Sequence, residues 1–413
     1  MSLKSSGLYV HVPHCLQKCH YCDFVTITID SPLEATSEYV SGLLAELRRR
    51  STSVRELSPG PLTSIYFGGG TPSLLPAQAI LAVLTEIATA GFTRTDGCEV
   101  SIEINPGTID AEKLDLYLAA GVTRFSLGVQ TFSDASLRAC GRKHSAEETR
   151  ETLRLFADRK LNYSADLLFG LPHQQIKDLQ RDLSELLEFS PPHVSLYNLT
   201  LPKAHFMNQG RASDEEQALM FEEIERALIG MGLLRYEISN FARPGFESRH
   251  NQLYWQGGAY WGIGVGAHSY LPQCGEFGVR FANPASIQSW RKQVENTSAS
   301  KAFWNMLPAA QMERLELHEA LTDFFHTRLR QSRGFLWSEF HDFLSAHSVR
   351  EARASDLELL ARSRLEKLAT RSLIINNADR VHLSVQGYPL ANVVFLELTF
   401  TADEVIDRVN LTP

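Results

Sequence analysis

Three cysteines near the amino terminus have a spacing that suits a metal cluster. Cys15, Cys19 and Cys22 form a C-x3-C-x2-C pattern directly after a short apolar segment. Three thiolates from one tight loop can bind three irons of a 4Fe-4S cluster. The fourth iron then lacks a protein ligand, so a small molecule can bind there and react. The loop therefore predicts a cluster that takes part in chemistry.

The same loop has two simpler interpretations. A structural zinc ion accepts Cys3His sets, and His14 or His20 could complete one here. The cysteines could also stay reduced without a metal. The spacing favours the cluster, and both alternatives stay open at this point.

A glycine run ends the second predicted strand of the chain. The segment 68–73, GGGTPS, lets the backbone turn sharply and come close to a ligand. It lacks the Gly-Lys-Ser/Thr of a phosphate-binding P-loop and the G-x-G-x-x-G of a dinucleotide site. Taken alone, it indicates a tight turn at a strand end.

Predicted strands and helices alternate along most of the chain. The predicted strands are Leu8–Val12, Ser64–Phe67, Glu99–Ile104, Arg124–Gly128, Ser164–Phe169 and Val194–Leu199, with Arg235–Ile238 as a weaker seventh. The predicted helices are Pro32–Arg49, Ala77–Ala90, Ala111–Ala120, Ala146–Arg159, Ile176–Phe189 and Asp214–Gly230. Such alternation predicts parallel βα units, in either a barrel or a doubly wound sheet.

Polar side chains gather toward the carboxyl ends of these strands. They are Glu103, Asn105, Gln130, Asp166 and Asn198. The active sites of parallel barrels lie at that end of the strands. Any one of these residues could simply start a loop or cap a helix, but the whole set favours a barrel.

The composition indicates a globular protein of two domains. The chain has 413 residues, of which 44% are hydrophobic and 21% are charged, so it can bury a large core. Its net charge of -8 and the lack of long basic runs argue against nucleic-acid binding. The clustered cysteines suit a reducing compartment, and neither a signal peptide nor a stretch of ~20 apolar residues occurs. We therefore expect a soluble, cytoplasmic protein.

The βα alternation stops near residue 275, which predicts two domains, 1–275 and 276–413. The second contains predicted helices at 309–331 and 354–368, a hairpin of Ser372–Ile375 with Arg380–Leu383, and a helix at 389–398. Helices followed by a small hairpin predict a mainly helical, winged-helix-like module. Its histidines, His318, His326, His341 and His347, are interpreted as surface or core residues.

Two motifs together resemble the radical S-adenosylmethionine (SAM) superfamily: the cysteine triplet with Tyr21 before its last member, and the Gly-Gly-Gly-Thr-Pro run. Further stretches are similar to the oxygen-independent coproporphyrinogen III dehydrogenase group, especially its branch of HemW-type haem chaperones. They are 9–13 (YVHVP), 103–107 (EINPG), 128–130 (GVQ), 141–142 (GR), 166–172 (DLLFGLP) and 236–240 (YEISN). The resemblance covers about residues 7–275 and extends only loosely beyond.

The resemblance implies a partial (β/α)6 barrel that binds SAM at the open iron of a 4Fe-4S cluster, where reductive cleavage yields a 5'-deoxyadenosyl radical. The three cysteines would ligate the cluster. The residues implied to line the SAM site are Tyr9, Tyr21, Gly69, Gly70, Thr71, Glu103, Gln130, Arg142 and Asp166. These side chains suit the groups of SAM. Glu103 can bind its ammonium, Arg142 can bind its carboxylate, and Asp166 can accept a hydrogen bond from a ribose hydroxyl.

Two departures from the group separate its branches. Phe24 stands where the coproporphyrinogen dehydrogenases have a further cysteine. Only residues 1–7 precede the first strand, where those enzymes carry a longer segment. Both departures favour the chaperone branch over the decarboxylating enzyme.

The run 250–255, HNQLYW, matches the H-N-x-x-Y-W pattern of HemW-type chaperones. An imidazole can ligate haem iron, so His250 is predicted to bind haem. The flat side chains predicted to pack on the macrocycle are Tyr254, Trp255, Tyr260 and Trp261. The alternative is a loop histidine that is hydrogen-bonded to the backbone, with the aromatics in the core.

These features predict a protein that binds a 4Fe-4S cluster and SAM, holds haem, and passes it to an acceptor such as a membrane-bound respiratory haem protein. An electron donor for the cluster is implied as a second partner. The alternatives are decarboxylation of coproporphyrinogen III to protoporphyrinogen IX, and methyl transfer or ring opening on haem itself. A structural zinc-binding barrel is the remaining interpretation.

Overall fold

The computed structural model describes residues 6–30, 32–57, 60–297, 307, 311–347, 349–377 and 379–406. Its strands are β1 (Ser6–Val12), β2 (His14–Cys15), β3 (Ile27–Thr28), β4 (Leu62–Gly69), β5 (Arg94–Ile104), β6 (Arg124–Gln130), β7 (Tyr163–Phe169), β8 (His193–Asn198), β9 (Leu234–Arg235), β10 (Asn240–Ala242), β11 (Ala259–Ile263), β12 (His268–Leu271), β13 (Val279–Ala282), β14 (Met312–Arg314), β15 (Phe335–Leu336), β16 (Ile374–Asn376) and β17 (Arg380–Leu383). Its helices are α1 (Pro32–Leu57), α2 (Ala77–Thr89), α3 (Ala111–Ala120), α4 (Asp134–Ala139), α5 (Ala146–Asp158), α6 (Ile176–Glu188), α7 (Asp214–Ile229), α8 (Arg249–Trp255), α9 (Ile287–Asn296), α10 (Leu317–Arg330), α11 (Trp337–Ala346), α12 (Glu351–Thr370), α13 (Ala391–Glu397) and α14 (Ala402–Ile406). Each helix in this part of the chain is too short or too polar to cross a lipid bilayer.

Six parallel strands form the centre of the molecule. β1, β4, β5, β6, β7 and β8 lie side by side in chain order, and each neighbouring pair is parallel. Helices connect them, as parallel pairing requires a crossover. Most residues of these six strands are buried, as expected for a parallel sheet that is covered on both faces. This arrangement confirms the predicted partial barrel and its six strands.

Local sequence signals set the ends of the connecting helices. Ser145 and Glu148 form a reciprocal capping box at the start of α5. Asp110 caps α3 by accepting a hydrogen bond from the Lys113 N–H, and Gly121 ends that helix with a left-handed backbone, φ 99°. The predicted bounds of these helices are therefore close to those observed.

The sheet continues at both edges without closing. The predicted seventh strand is present only as the two residues of β9, which pairs antiparallel with β10, and β10 pairs antiparallel with β8. On the other edge, β11 pairs parallel with β1 and leads into the antiparallel strands β12, β13 and β14. The result is a 12-stranded open sheet that runs from β14 to β9.

A second core lies in the carboxyl-terminal part of the chain. Helices α10, α11 and α12 pack with the three-stranded antiparallel sheet β15-β17-β16. Phe324, Phe325 and Phe340 meet there with ring centroids 5.3 to 5.4 Å apart. This confirms a mainly helical module with a hairpin. The helix predicted from residue 309 begins only at Leu317, and residues 309 and 310 lie outside the described part.

Residues of the two cores alternate along the chain after residue 275. Trp290, Val294 and Met312 pack with the barrel core, although they follow residue 275. Phe277 already packs with the second core, whose other buried residues follow from Leu315 onward. The two cores therefore interleave between 277 and 315, and the division at 275 stays a prediction.

Candidate functional site

The cysteine loop projects from the carboxyl end of β1. The short strands β2 and β3 pair in parallel and bring the two ends of the loop together. The N–H of Ile29 donates to the Cys15 carbonyl at 3.0 Å, and the N–H of Cys22 donates to the Cys19 carbonyl at 3.2 Å. Cys15 is buried, while Cys19 and Cys22 are partly exposed. All three thiols thus come from one compact loop at the predicted active-site face.

A chain of hydrogen bonds joins two of the cysteines through residues of three other segments. The Thr71 hydroxyl donates to Cys15 Sγ at 3.6 Å, and Asn105 Nδ2 donates to Thr71 Oγ1 at 2.9 Å. Arg142 Nη2 donates to Asn105 Oδ1 at 2.7 Å, and Arg142 Nη1 donates to Cys19 Sγ at 3.5 Å. Donors aimed at sulfur stabilise thiolates and orient metal ligands. We call Cys15, Thr71, Asn105, Arg142 and Cys19 the thiol network.

The glycine run brings the β4 end against the cysteine loop. Gly69 has φ +119°, a conformation that suits glycine, and a Cβ there would lie 2.6 Å from the His11 ring. A Cβ at Gly70 would lie 2.8 Å from Cys15 Sγ. No larger residue fits at either position, so the glycines let the backbone line a site beside the thiol.

Glu103 is a carboxylate that forms no ion pair with any described Lys, Arg or His side chain. Its oxygens accept hydrogen bonds from neutral donors, the Tyr66 hydroxyl at 2.9 Å and the Gly69 N–H at 3.0 Å. Burial raises the pKa of Glu103 to about 7, the two hydrogen bonds lower it, and the nearby Asp166 raises it. An incoming ammonium would restore the charged form, since an opposite charge favours ionisation.

Asp166 lies deeper in the barrel. Ser126 and Ser164 each donate a hydroxyl hydrogen bond to it at 2.5 Å. The Ser164 hydroxyl is also 2.9 Å from Nδ1 of the buried His193. Burial raises the pKa of Asp166, whereas the serine hydrogen bonds lower it. The carboxylate is held rigidly by strand residues and is available to a hydroxyl donor from a ligand.

Arg142 stands beside two further predicted SAM residues. Burial lowers the pKa of Arg142, but Tyr21 and Cys19 together raise it above its ordinary value. A Cβ at Gly128 would lie 3.0 Å from both Arg142 Nη2 and Gln130 Nε2, so these two side chains lie together. Gln130 has φ 65°, at the point where the pairing register of β6 and β7 shifts. The irregular strand end turns Gln130 toward Arg142.

Tyr9 is linked to the cysteine loop through the side chain of His11. Its hydroxyl is 3.0 Å from His11 Nδ1, and His11 Nε2 is 2.8 Å from the carbonyl oxygen of Val25, within the loop. The carbonyl can only accept, so Nε2 carries the hydrogen and Nδ1 accepts from Tyr9. Burial lowers the pKa of His11, which keeps the ring neutral. Tyr9 and His11 therefore anchor the loop to β1.

His250 lies at the opposite end of the barrel from the cysteines. Its Nδ1 is 2.8 Å from the Ser64 hydroxyl and its Nε2 is 2.8 Å from the Tyr254 hydroxyl. The backbone N–H groups of Arg249 and His250 donate to Glu99, so α8 sits across the amino-terminal ends of the strands. The ring is 1% exposed, and burial lowers its pKa to about 3. In this conformation both ring nitrogens are engaged, and an iron ion could bind only after Tyr254 or Ser64 moved.

The aromatic residues after His250 divide between two environments. Tyr254, Trp255 and Tyr260 line a large groove between the barrel and the second core. Trp261 is instead buried in the barrel core, 5.6 Å from the Phe92 ring. Neighbouring residues of a strand point to opposite faces, so Tyr260 and Trp261 cannot pack on the same ligand.

The histidines near the cysteines do not complete a zinc site. His14 packs edge-on against Tyr39, and burial lowers its pKa to about 4. His20 Nδ1 is 3.0 Å from the Ala139 carbonyl oxygen. Within the described residues, no three His, Cys, Asp or Glu side chains are arranged to hold a single metal ion. A 4Fe-4S cluster has a different requirement, because each thiolate binds its own iron.

The carboxyl ends of β1, β4, β5 and β6 thus bring most of the predicted site together. The residues near this face are Cys15, Cys19, Cys22, Tyr21, Gly69, Gly70, Thr71, Glu103, Gln130 and Arg142. Tyr9 and Asp166 lie further inside, and His250 lies at the far end. A cleft of about 130 Å³ opens beside Cys19, Thr71, Asn105 and Arg142.

The sequence analysis missed several side chains that hold this site. They are Tyr66, Ser126, Ser164 and His193. Each is a polar side chain on a strand of the central sheet. The alternation of side chains along a strand, counted back from Glu103 or Asp166, would have identified Ser164 as a neighbour.

Comparisons with known proteins agree with the fold and the motifs. The profile of the Radical SAM superfamily matches residues 9–186. The haem chaperone HemW of Lactococcus lactis is 31% identical over 404 residues, which span 96% of this chain and 97% of that protein. HemW of Bacillus subtilis is 32% identical over 395 residues, 94% of this chain and 97% of that protein.

One solved structure superposes on nearly the whole chain. It is the coproporphyrinogen III oxidase HemN of Escherichia coli, a radical SAM enzyme, with a TM-score of 0.75. The alignment covers 96% of this chain and 90% of HemN at 21% identity. At 21% identity, this similarity shows a shared fold only.

Proposed function

Because the chain belongs to the HemW-type haem chaperones, within the radical SAM proteins related to coproporphyrinogen III oxidase, we propose that it binds a 4Fe-4S cluster and SAM and that it holds haem for delivery to an acceptor protein. The thiol network is the observation that carries the first part. It directs donors from Thr71 and Arg142 at Cys15 and Cys19.

The residues at the cysteine loop fit a cluster. Cys15, Cys19 and Cys22 would be its ligands, and Gly70 leaves the space beside Cys15 free of side-chain atoms. When bound, such a cluster supplies an open iron and an electron for cleavage of SAM. Thr71 and Arg142 would offset the negative charge on the sulfurs.

The residues around the cleft fit SAM. Glu103 offers an uncompensated carboxylate to the methionyl ammonium, next to the backbone of Gly69 and Gly70. Arg142 offers a guanidinium to the carboxylate, and Asp166 offers acceptor oxygens to ribose hydroxyls. Gln130, Tyr21, Tyr9 and Thr71 complete the proposed lining.

Haem ligation by His250 remains part of the proposal under one condition. Both ring nitrogens are hydrogen-bonded, so ligation requires that α8 shifts or that Tyr254 turns away. The acceptor, such as a membrane-bound haem protein, and the electron donor of the cluster are proposed partners.

The test begins with anaerobic assembly of the full chain with iron and sulfide. We expect about four irons and four sulfides per chain, as a 4Fe-4S cluster requires. SAM and haem are then titrated separately, and haem transfer to an apo-haem protein is followed by absorbance. Zinc without iron and sulfide, or a failure to bind haem, would overturn the proposal.

The same preparation distinguishes a chaperone from an enzyme. Phe24, at the position of a further cysteine in the dehydrogenases, is 62% exposed and offers no thiol there. We expect no conversion of coproporphyrinogen III when SAM and a reductant are supplied. Formation of protoporphyrinogen IX would show that the chain is a decarboxylating enzyme.

A further inference from the structure

A large groove separates the barrel edge from the second core. It has a volume of about 930 Å³, within the range of about 300–1,000 Å³ usual for small-molecule sites. Residues of α8, β11 and β12 form one wall, and residues of α10 and α11 form the other. We call it the interdomain groove.

Both walls carry aromatic side chains among polar and charged ones. Tyr254, Trp255, Tyr260 and Tyr270 come from the barrel side, and Phe324 and Phe343 from the other. Tyr254 and Tyr260 meet edge to face at 4.5 Å between ring centroids. Such walls suit a flat apolar ligand, because aromatic rings pack on one another with little loss of side-chain freedom.

His347 lies in the same groove in the arrangement of a metal-binding histidine. Its Nδ1 is 2.8 Å from the Glu276 carbonyl oxygen, which can only accept, so Nδ1 carries the hydrogen. Nε2 therefore keeps its lone pair, and no described residue bonds to it. Metal-binding histidines commonly donate their second nitrogen to a backbone carbonyl in this way. The rings of Phe277 and Phe343, 5.2 and 4.8 Å away, hold the imidazole in place.

Arg328 brings a guanidinium to the lining of the groove. The Trp255 indole N–H and the Arg328 Nε–H are buried and have no hydrogen-bond partner among the described residues. Arg328 donates through Nη1 to the Trp255 carbonyl at 2.8 Å. Both unpaired N–H groups are shielded from the groove, so an anion bound there would interact with Arg328 through its positive charge and not through these groups.

Four carboxylates line the groove. Burial lowers the pKa of Arg328, whereas one of the four, Glu339, attracts the guanidinium and raises that pKa. Asp323 pairs with Arg280, and Glu339 pairs with Arg333. Glu276 and Asp342 are exposed at the rim. An anionic group would therefore meet the guanidinium of Arg328 in the interior of the groove.

We propose that the interdomain groove binds haem, with His347 Nε2 as an iron ligand, the aromatic walls on the faces of the macrocycle, and Arg328 at a propionate. This inference rests on the proposed function and gives it a location. It accounts for the aromatic residues of the 250–255 run, which face the groove while His250 faces the barrel interior.

The test is a haem titration of the assembled full chain, followed through the Soret absorbance. His347→Ala should weaken haem binding by at least about tenfold, the lower end of what even a supporting residue contributes to a metal site, and should change the spectrum of the bound iron. His341→Ala is the matched control. His341 is on α11, is exposed, and pairs with Glu358, so its removal should leave the titration unchanged.

A second variant tests the groove without touching a ligand. Ala346 lines the groove and is exposed, so Ala346→Trp should fill the space and weaken haem binding while the thermal unfolding curve stays unchanged. If the wild type binds haem and His347→Ala and Ala346→Trp bind it equally well, the groove assignment is overturned and the chaperone function stands. If the wild type binds no haem, the proposed function itself is overturned, and the groove assignment falls with it.

Discussion

The cysteine face of the barrel and the interdomain groove are built in different ways. At the cysteine face, residues from adjacent parallel strands meet around a cleft of about 130 Å³, and the polar atoms of the thiol network bond to one another. The groove is larger, about 930 Å³, and its walls combine aromatic, polar and charged side chains. Two buried N–H groups beside it have no acceptor among the described residues.

This difference in construction indicates what each region is suited to bind. Hydrogen bonds between loops at the strand ends hold the thiol network in place, so its geometry is preorganised for a cofactor that must not move. The groove depends on how a second core packs against the barrel edge, and domain interfaces move more readily than strand pairs. A rigid face suits resident cofactors, and an adjustable groove suits a cargo that must be released.

The largest effect should follow loss of a thiol. Cys19→Ala removes a cluster ligand and the sulfur that accepts from Arg142, so iron and sulfide should fall to background after anaerobic assembly. Haem binding in the groove should persist. Cys274→Ala, which removes a cysteine near the second region, is the control and should keep full iron content. A Cys19→Ala protein with a normal cluster would remove the loop from its assigned role.

The next effect concerns the guanidinium of the thiol network. Arg142→Lys keeps the charge but loses the fork that reaches Asn105 and Cys19 together. We expect SAM binding to weaken by about 1.5–3 kcal/mol, the usual contribution of a hydrogen bond to a charged group, while haem binding is unchanged. Calorimetric titration measures both, and the exposed Arg138→Lys is the control. Equal loss of haem and SAM would mean that the two regions are not independent.

Protonation of Glu103 should make the free energy of unfolding depend on pH. Its folded pKa, about 7, is above the ordinary 4.5, so the folded chain binds the proton more tightly. Stability contributed by the protonated form is complete below about pH 4.5 and is lost as the pH rises through about 7. In the cofactor-free chain, Glu103→Gln should therefore raise the free energy of unfolding at pH 8 by up to about 3 kcal/mol, and less at lower pH.

The same substitution should weaken SAM binding at pH 8, because the neutral amide cannot pair with an ammonium. Denaturant unfolding at several pH values checks the first effect, and SAM titration checks the second. A Glu103→Gln protein whose stability tracks the wild type at every pH would show that this carboxylate is not held in a raised-pKa environment.

The smallest effect should follow Tyr254→Phe, which tests whether His250 or His347 ligates the haem iron. Tyr254→Phe removes one hydrogen bond to His250 Nε2, which should lower the free energy of unfolding by about 0.5–1.5 kcal/mol. It also frees Nε2, so tighter haem binding and a new iron spectrum would support ligation by His250. We expect neither while α8 keeps its position, because the His250 ring is then 1% exposed. Either result would show that α8 can shift and that His250, not His347, ligates the iron. Tyr260→Phe, in the same groove wall, is the control.

Much of the cysteine face could be predicted from the chain because its signals are local. The triplet, the glycine run and the polar residues at strand ends all lie where parallel strands deliver them to one face. Ser126, Ser164 and Tyr66 escaped prediction because a buried serine or tyrosine in a strand has no signature of its own. Only their shared orientation toward Glu103 and Asp166 identifies them.

The surroundings of His250 and His347, in contrast, could not be predicted from the sequence. The HNQLYW run marks His250, yet its place in α8 beneath the strands engages both ring nitrogens. His347 follows α11 without any motif, and it becomes a candidate ligand only because the second core carries it to the groove beside Glu276.

By itself, the order of residues determined the six βα units, the loop of three thiols and the side chains at the strand ends, since spacing and periodicity of two or 3.6 residues encode these directly. Only the tertiary structure decided which histidine keeps a free nitrogen, where the aromatic walls face each other, and which carboxylate lacks a cation. Those properties depend on contacts between segments far apart in the chain, and no local pattern records them.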